Sequence, residues 1–219
     1  MPTPLVVIGA GGFGREVLDV VEAINALATG PRFDLLGVLD DSVGETFLER
    51  LVDRGISYLG TTAAWLAAAP EAQYLIGIGN PQIRRRIDVV LSKQGLRPAV
   101  ALHPTAGVGS RCAIGAGTVV CGGAQISTNV RLGRHVHINP SATIGHDSVL
   151  EDFVSINPSA TISGACWLEN EAYIGSSSVV LQGLRVGAGA IVGAAACVVR
   201  DVRPAVTVVG VPAHEVEAV

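Results

Sequence analysis

His146 and Asp147 stand side by side in the stretch INPSATIGHDSVLEDFVSINPSATISG, residues 138–163. An imidazole next to a carboxylate can act as a general base, with the acid raising its basicity and fixing its tautomer. Adjacent side chains meet only where the backbone bends between them. The bland alternative is a surface histidine at a turn. A metal site built from His135, His137 and His146 is not expected, because the local spacing separates the three.

The same seven letters, INPSATI, flank the pair at 138–144 and 156–162. The copies lie eighteen residues apart. They belong to a longer rhythm, in which an aliphatic residue falls on every sixth position from Leu102, Val108 and Ile114 through to Val192 and Val198. Four residues after each comes a small or aliphatic one, such as Cys112, Ala124, Ala142, Ala160 and Ala190. This is a hexapeptide β-helix repeat. Three hexads close one triangular coil, so residues eighteen apart stack. Five to six coils result, each burying its aliphatic set against the next. Stacking puts Gly164 directly over His146 and leaves a notch on the outer face, with His146 outside the core.

Residues 1–100 follow another rhythm. LVVIGAGGFG, FDLLGVLDD (33–41) and QYLIGIGN (73–80) read as buried strands. REVLDVVEAINALA (15–28), TAAWLAAA (62–69) and QIRRRIDVVLSKQ (82–94) read as helices. The alternation implies a small parallel α/β domain, about half of a dinucleotide-binding fold. The expected division is 1–100 for this Rossmann-like domain, 101–204 for the β-helix and 205–219 for a C-terminal tail.

Composition narrows the partners. The chain is 49% apolar but only 4% aromatic, with 27 glycines, which suits thin regular layers. A formal charge of −4 without a basic run argues against nucleic acid or an anionic membrane as partner. The most apolar window, 179–199, carries Gln182, Arg185 and the hexad rhythm, so a membrane span is not expected. No signal peptide is visible. Cys112, Cys121, Cys166 and Cys197 lack metal spacing and read as reduced thiols, and a cytoplasmic location is the default.

Taken in order, IGAGGFGREVLDV (8–20), GVLDD (37–41), IGIGNPQIRRRI (76–87), HPTA (103–106), IGHDSVLEDFVSI (144–156) and GVPA (210–213) resemble a known family. It is the bacterial sugar O-acyltransferase, sialic-acid O-acetyltransferase (NeuD/PglD-like) family of hexapeptide-repeat acetyltransferases, with the related nucleotide-aminosugar N-acetyltransferases. The resemblance implies an α/β N-terminal domain followed by a left-handed parallel β-helix, acetyl-CoA as co-substrate, no metal, and a homotrimer. It implies His146 as general base with Asp147 in support, and direct transfer without an acyl-enzyme. Acetyl-CoA would lie along the coils between two subunits, at Gly164, Gly175, Ser176, Gly193, Ala194 and Pro212. A nucleotide-linked sugar would meet Gly9, Gly11, Gly12, Phe13 and Gly14 at the first helix, with Asp40, Asp41, Asn80 and Arg84 nearby. Asn139 and Ser155 would face the acceptor sugar. Several relatives carry histidine where this chain has Phe13 and Ser155, which bears on the acceptor. His137, one coil from Ser155, is a candidate to compensate.

The expected activity is N-acetylation of a nucleotide-linked amino sugar. The alternatives are O-acetylation of a sugar hydroxyl, as on sialic acid, and a non-catalytic β-helix binding module.

Overall fold

The computed structural model describes residues 1–27, 30–68 and 71–216. The chain divides into two compact units, Met1–Ala101 and Leu102–Val219.

The first unit is a four-stranded parallel sheet with helices. Its elements are β1 (Thr3–Ile8), α1 (Gly12–Asn25), β2 (Phe33–Leu39), α2 (Glu45–Asp53), α3 (Thr62–Ala67), β3 (Gln73–Ile76), α4 (Pro81–Lys93) and β4 (Arg97–Pro98). The strand order is β2-β1-β3-β4. Val6, Ile8, Leu39, Tyr74, Ile76 and Leu91 pack as the core on one side of this sheet. The helices expected over 15–28 and 62–69 end at Asn25 and Ala67, and residues 28 and 69 lie outside the described part. α2 and β4 had no counterpart in the sequence expectation. α2 is a surface helix with a single buried residue, Leu51, so its apolar pattern is thin. β4 has two residues, too short to show a period.

In this order the chain leaves β1 toward β2 and leaves β3 toward β4. The crevice at the carboxyl ends of β1 and β3 is therefore the topological switch point, where open α/β sheets take their ligands. The glycine turn 9–14 and the loop 77–80 both lie there.

The second unit is a parallel β-helix. Each of its two-residue strands, from Ala101–Leu102 to Cys197–Val198, ends on one of the aliphatic residues of the six-residue rhythm. Pairing is parallel in steps of eighteen, for example Ile138 with Ile156 and Ile144 with Ile162. Three sheets of eight, six and five strands form the walls. Val120, Ile138, Ile156 and Ile174 fill the interior of one wall and Ile126, Ile144, Ile162 and Val180 that of another. The small residues at the fourth step are also inside: Thr118, Ala124, Ala142, Ser148 and Ala160 are each fully buried. After Val198 the step shortens to sixteen, with Val186 against Val202 and Ile191 against Thr207. A strand at Thr207–Val209 then joins the eight-stranded wall and turns back as an antiparallel hairpin to His214–Val216.

The corners share one device. From Val108 to Val192 the third residue after each aliphatic of the rhythm takes a left-handed conformation. Eleven non-glycine residues do so, among them Asn129 (φ 59°), Asp147 (φ 61°) and Ala165 (φ 57°). Glycine supplies the same position at Gly117, Gly123, Gly183 and Gly189. Asn and Asp visit this region at least cost among side chains. Among the described residues no helix is long and apolar enough to cross a membrane.

Candidate active site

His146 and Asp147 sit on the corner that follows the six-stranded wall. Ile144 and Ser148 point into the core on either side, both fully buried, so His146 and Asp147 between them are turned outward. The left-handed φ at Asp147 folds its carboxylate back onto the preceding ring. His146 Nδ1 lies 2.7 Å from Asp147 Oδ2. Both side chains remain about half exposed, at 51% and 53%. The bend that neighbouring side chains need is thus supplied by the corner itself.

The coils above and below treat the pair differently. Below, Asn129 Nδ2 donates to Asp147 Oδ1 at 3.0 Å. Above, Gly164 lies against the ring: a Cβ there would sit 2.5 Å from His146 Nε2. Only glycine leaves the ring its place. The carboxyl of Asp147 is held below its ordinary value, first by the hydrogen bond from His146 and then by that from Asn129. A carboxylate only accepts, so the contact places a proton on Nδ1, and in the neutral ring Nε2 is then the basic nitrogen.

The other candidate cofactor positions fall elsewhere. Gly175, Ser176, Gly193 and Ala194 lie on the corner that follows the eight-stranded wall, one wall away from His146 and Gly164. A Cβ on Gly175 would come within 2.5 Å of Ala194 N, and one on Gly193 within 2.8 Å of Val209 Cγ1. The backbone there is pressed close, coil on coil. Pro212 is exposed in the C-terminal hairpin, which docks through Ala213 N–H on the Cys197 carbonyl at 2.8 Å. A single chain does not gather these positions around His146.

In the N-terminal unit the glycine turn forms the start of α1. Gly9 has φ +107°, and a Cβ on Gly14 would overlap the Gly9 carbonyl. Gly11 caps α1 with no side-chain partner, the first turn holds no acid, and a Cβ on Gly11 or Gly12 would meet open space. The start of α1 is therefore a helix N-terminus with neither an acid nor a side-chain cap, an end whose charge suits an anion. Phe13 is half-buried in this turn.

The polar residues near that turn also serve the fold. Asp40 accepts from Ala10 N–H at 2.8 Å and from Ser42 N–H at 2.9 Å. Asp41 accepts from Thr62 N–H at 2.7 Å. Both acids brace loops. Asp41 also borders a groove of about 430 Å³ between α3 and α4 that includes Leu66, Ile87 and Val90. Asn80 caps α4, accepting from Ile83 N–H at 3.0 Å. Arg84 does not line an open site. It is wholly buried, and its guanidinium donates to the Ile78 and Gly79 carbonyls at 2.8 and 3.2 Å. Its charge shapes the 77–80 loop from beneath.

Asn139 is also turned to the fold. It is 7% exposed, and its amide donates to the Ile156 carbonyl at 2.8 Å. Asn157 repeats the bond one coil on, at 2.7 Å to Ile174. Ser155 is buried and pairs in register with the buried His137. Among the described residues no group of three or more His, Cys, Asp or Glu is placed to hold a metal. The residue missed in the sequence was Asn129. It stands eighteen positions before Asp147, so the stacking rule contained the signal.

A parallel β-helix bearing an outward His–Asp pair, preceded by a small α/β unit with a glycine turn, is the architecture of hexapeptide-repeat acyltransferases. Comparison with known proteins agrees. The PglD N-terminal domain family matches residues 4–89. A GDP-perosamine N-acetyltransferase from Escherichia coli O157:H7 is 32% identical over 148 residues, which span 68% of this chain and 64% of that protein. The acetyltransferase domain of PglB from Neisseria gonorrhoeae, solved with acetyl coenzyme A, is 32% identical with a TM-score of 0.85, covering 99% of this chain and 100% of that one. PerB from Caulobacter crescentus, solved with CoA and GDP-perosamine, is 25% identical with a TM-score of 0.86, covering 98% and 97%. The chain belongs to the NeuD/PglD-like family of hexapeptide-repeat acetyltransferases.

Proposed function

We propose that this protein transfers an acetyl group from acetyl-CoA to the amine of a nucleotide-linked amino sugar, GDP-perosamine or a close relative of it. The observation that carries the reading is the His146–Asp147 contact of 2.7 Å with Nε2 turned toward the bare Gly164. Relatives named for N-acetylation of GDP-perosamine support the amine over a hydroxyl.

In this reading the sugar amine attacks the thioester carbonyl, and His146 Nε2 takes the proton the amine sheds. Asp147 faces the imidazolium that forms and stabilises it, as an acid does in other base-assisted acyl transfers. The tetrahedral intermediate collapses with cleavage of the C–S bond. The CoA thiolate takes the proton back from Nε2, which returns the base to its starting state. No bond between acetyl and protein is needed.

The split of the donor positions over two corners supports a homotrimer. An extended CoA that touches Gly164 and also the Gly175–Ser176 and Gly193–Ala194 corner is best accommodated between one subunit's His146 corner and a neighbour's opposite corner. The open start of α1 at the switch point suits the pyrophosphate of the acceptor.

The test follows CoA thiol release from acetyl-CoA with GDP-perosamine, other nucleotide-linked amino sugars and free sialic acid. Turnover with an amino sugar and an N-acetyl product supports the reading. Turnover only with a hydroxyl acceptor moves it to O-acetylation. Absence of acetyl-CoA binding overturns it.

A further inference from the structure

Asp147 is more than half exposed, and its hydrogen bond to His146 fixes only one of its two oxygens. A carboxylate anchored at one point in water keeps several rotamers within reach. Here the other oxygen is anchored as well, by Asn129 Nδ2 at 3.0 Å. We propose that Asn129 is a positioning residue for acetyl transfer: it holds the Asp147 carboxylate in the orientation that keeps His146 Nε2 pointed at the reacting amine. This inference rests on the acetyl-transfer reading of the same site.

Three observations make the contact more than a chance surface bond. First, both backbones are pinned. Asn129 N–H donates to Ser110 O at 3.0 Å, and Asp147 N–H to Thr128 O at 3.1 Å. Second, the two residues take the same left-handed corner conformation, φ 59° and 61°, so their side chains leave successive coils in parallel and meet. Third, the support is one-sided. The coil above presents Gly164 and Ala165, which carry no polar side chain, and the coil below presents Thr128 and Asn129. The side facing Gly164 stays clear for reactants while polar support comes from beneath.

The residue type also fits. The corner demands a left-handed residue, and the carboxylate demands a donor. Asparagine meets both requirements, whereas glycine meets the first alone and aspartate would set a like charge beside Asp147.

The test is a double-mutant cycle on the full chain. Asn129→Gly keeps the corner conformation and removes the donor. It is compared in the parent and in Asp147→Ala, with acetyl-CoA and the amino sugar that turns over. In the parent, Asn129→Gly lowers kcat about tenfold, the effect of losing one charge-assisted hydrogen bond, with KM for acetyl-CoA unchanged. In Asp147→Ala it changes kcat less than twofold, because Asn129 acts only through the lost carboxylate. Equal losses in both backgrounds, or no loss in the parent, overturn the inference. If the parent transfers acetyl to no acceptor, the acetyl-transfer reading fails by itself. The 15N spectrum of the His146 ring then decides the positioning, with a His146→Ala spectrum identifying its signals. A Nδ1–H tautomer that weakens in Asn129→Gly supports it, and one that is unchanged overturns it.

Discussion

Residues 138–144 and 156–162 carry the same seven letters on the same wall, one coil apart, yet the corners that follow differ: Gly145 leads to His146 and Asp147 after the first copy, and Ser163 to Gly164 and Ala165 after the second. The backbone does not distinguish them. Both corners place the last of these residues in the left-handed region, at φ 61° and 57°, and both return to a buried small residue, Ser148 and Cys166. The aliphatic and small positions maintain the coil, and the two outward corner positions are free to carry chemistry. One coil spends them on a base and its acid. The other leaves them bare so that the base has room. The function arises from the contrast between the two corners, and changing either corner should show it.

The largest effect is expected from erasing the contrast on the polar side. His146→Ala removes the base from an exposed corner without touching the core, so the variant should fold with an unchanged thermal midpoint. Its kcat should fall by about a thousandfold, within the range of general-base contributions. Steady-state kinetics beside a thermal melt would check both halves.

Next comes the opposite corner. Gly164→Ala would place a methyl 2.5 Å from Nε2 and push the ring out of line. A loss of about a hundredfold in kcat is expected, the cost of an ångström-scale misplacement. The same melt would separate this from unfolding.

A gentler probe is pH. Asp147 is held below the ordinary carboxyl value by its hydrogen bonds from His146 and Asn129. A depressed acid contributes while it is ionised and stops contributing as pH falls through its folded value. Above about pH 5 it therefore stays charged, and the acid limb of kcat/KM should follow a single proton. A limb of slope two would mean that Asp147 titrates together with the base. The smallest effect belongs to Ala165→Gly, beside Gly164 but away from the ring. It should alter kcat less than twofold, which shows that proximity in sequence is not what makes Gly164 matter.

The β-helix was legible because its period is a packing rule. An inward aliphatic every six residues and stacking every eighteen follow from Leu102 to Val198, and His146 was recognisable as outward because it falls between inward positions. What the period could not reveal was how adjacent side chains meet. That depends on a left-handed corner held mostly by ordinary residues, which composition does not advertise. In the N-terminal unit the glycine turn was legible through its spacing, but the roles of its charged neighbours were not. Arg84 reads as an anion contact in the sequence, and only its complete burial against the Ile78 and Gly79 carbonyls reveals a brace. Asp40 and Asp41 carry a bracing role that the sequence did not show either: acids after a strand suggest a ligand, and loop N–H groups also bond to them.

The most direct test is to mix the protein with acetyl-CoA labelled in the acetyl group and GDP-perosamine, quench within one turnover, and count the label. Direct base-assisted transfer to an amine predicts one CoA thiol released for each N-acetylated sugar and no label on the protein at any time. Label held on the protein, or acetyl-CoA consumed without an N-acetyl product, would contradict it.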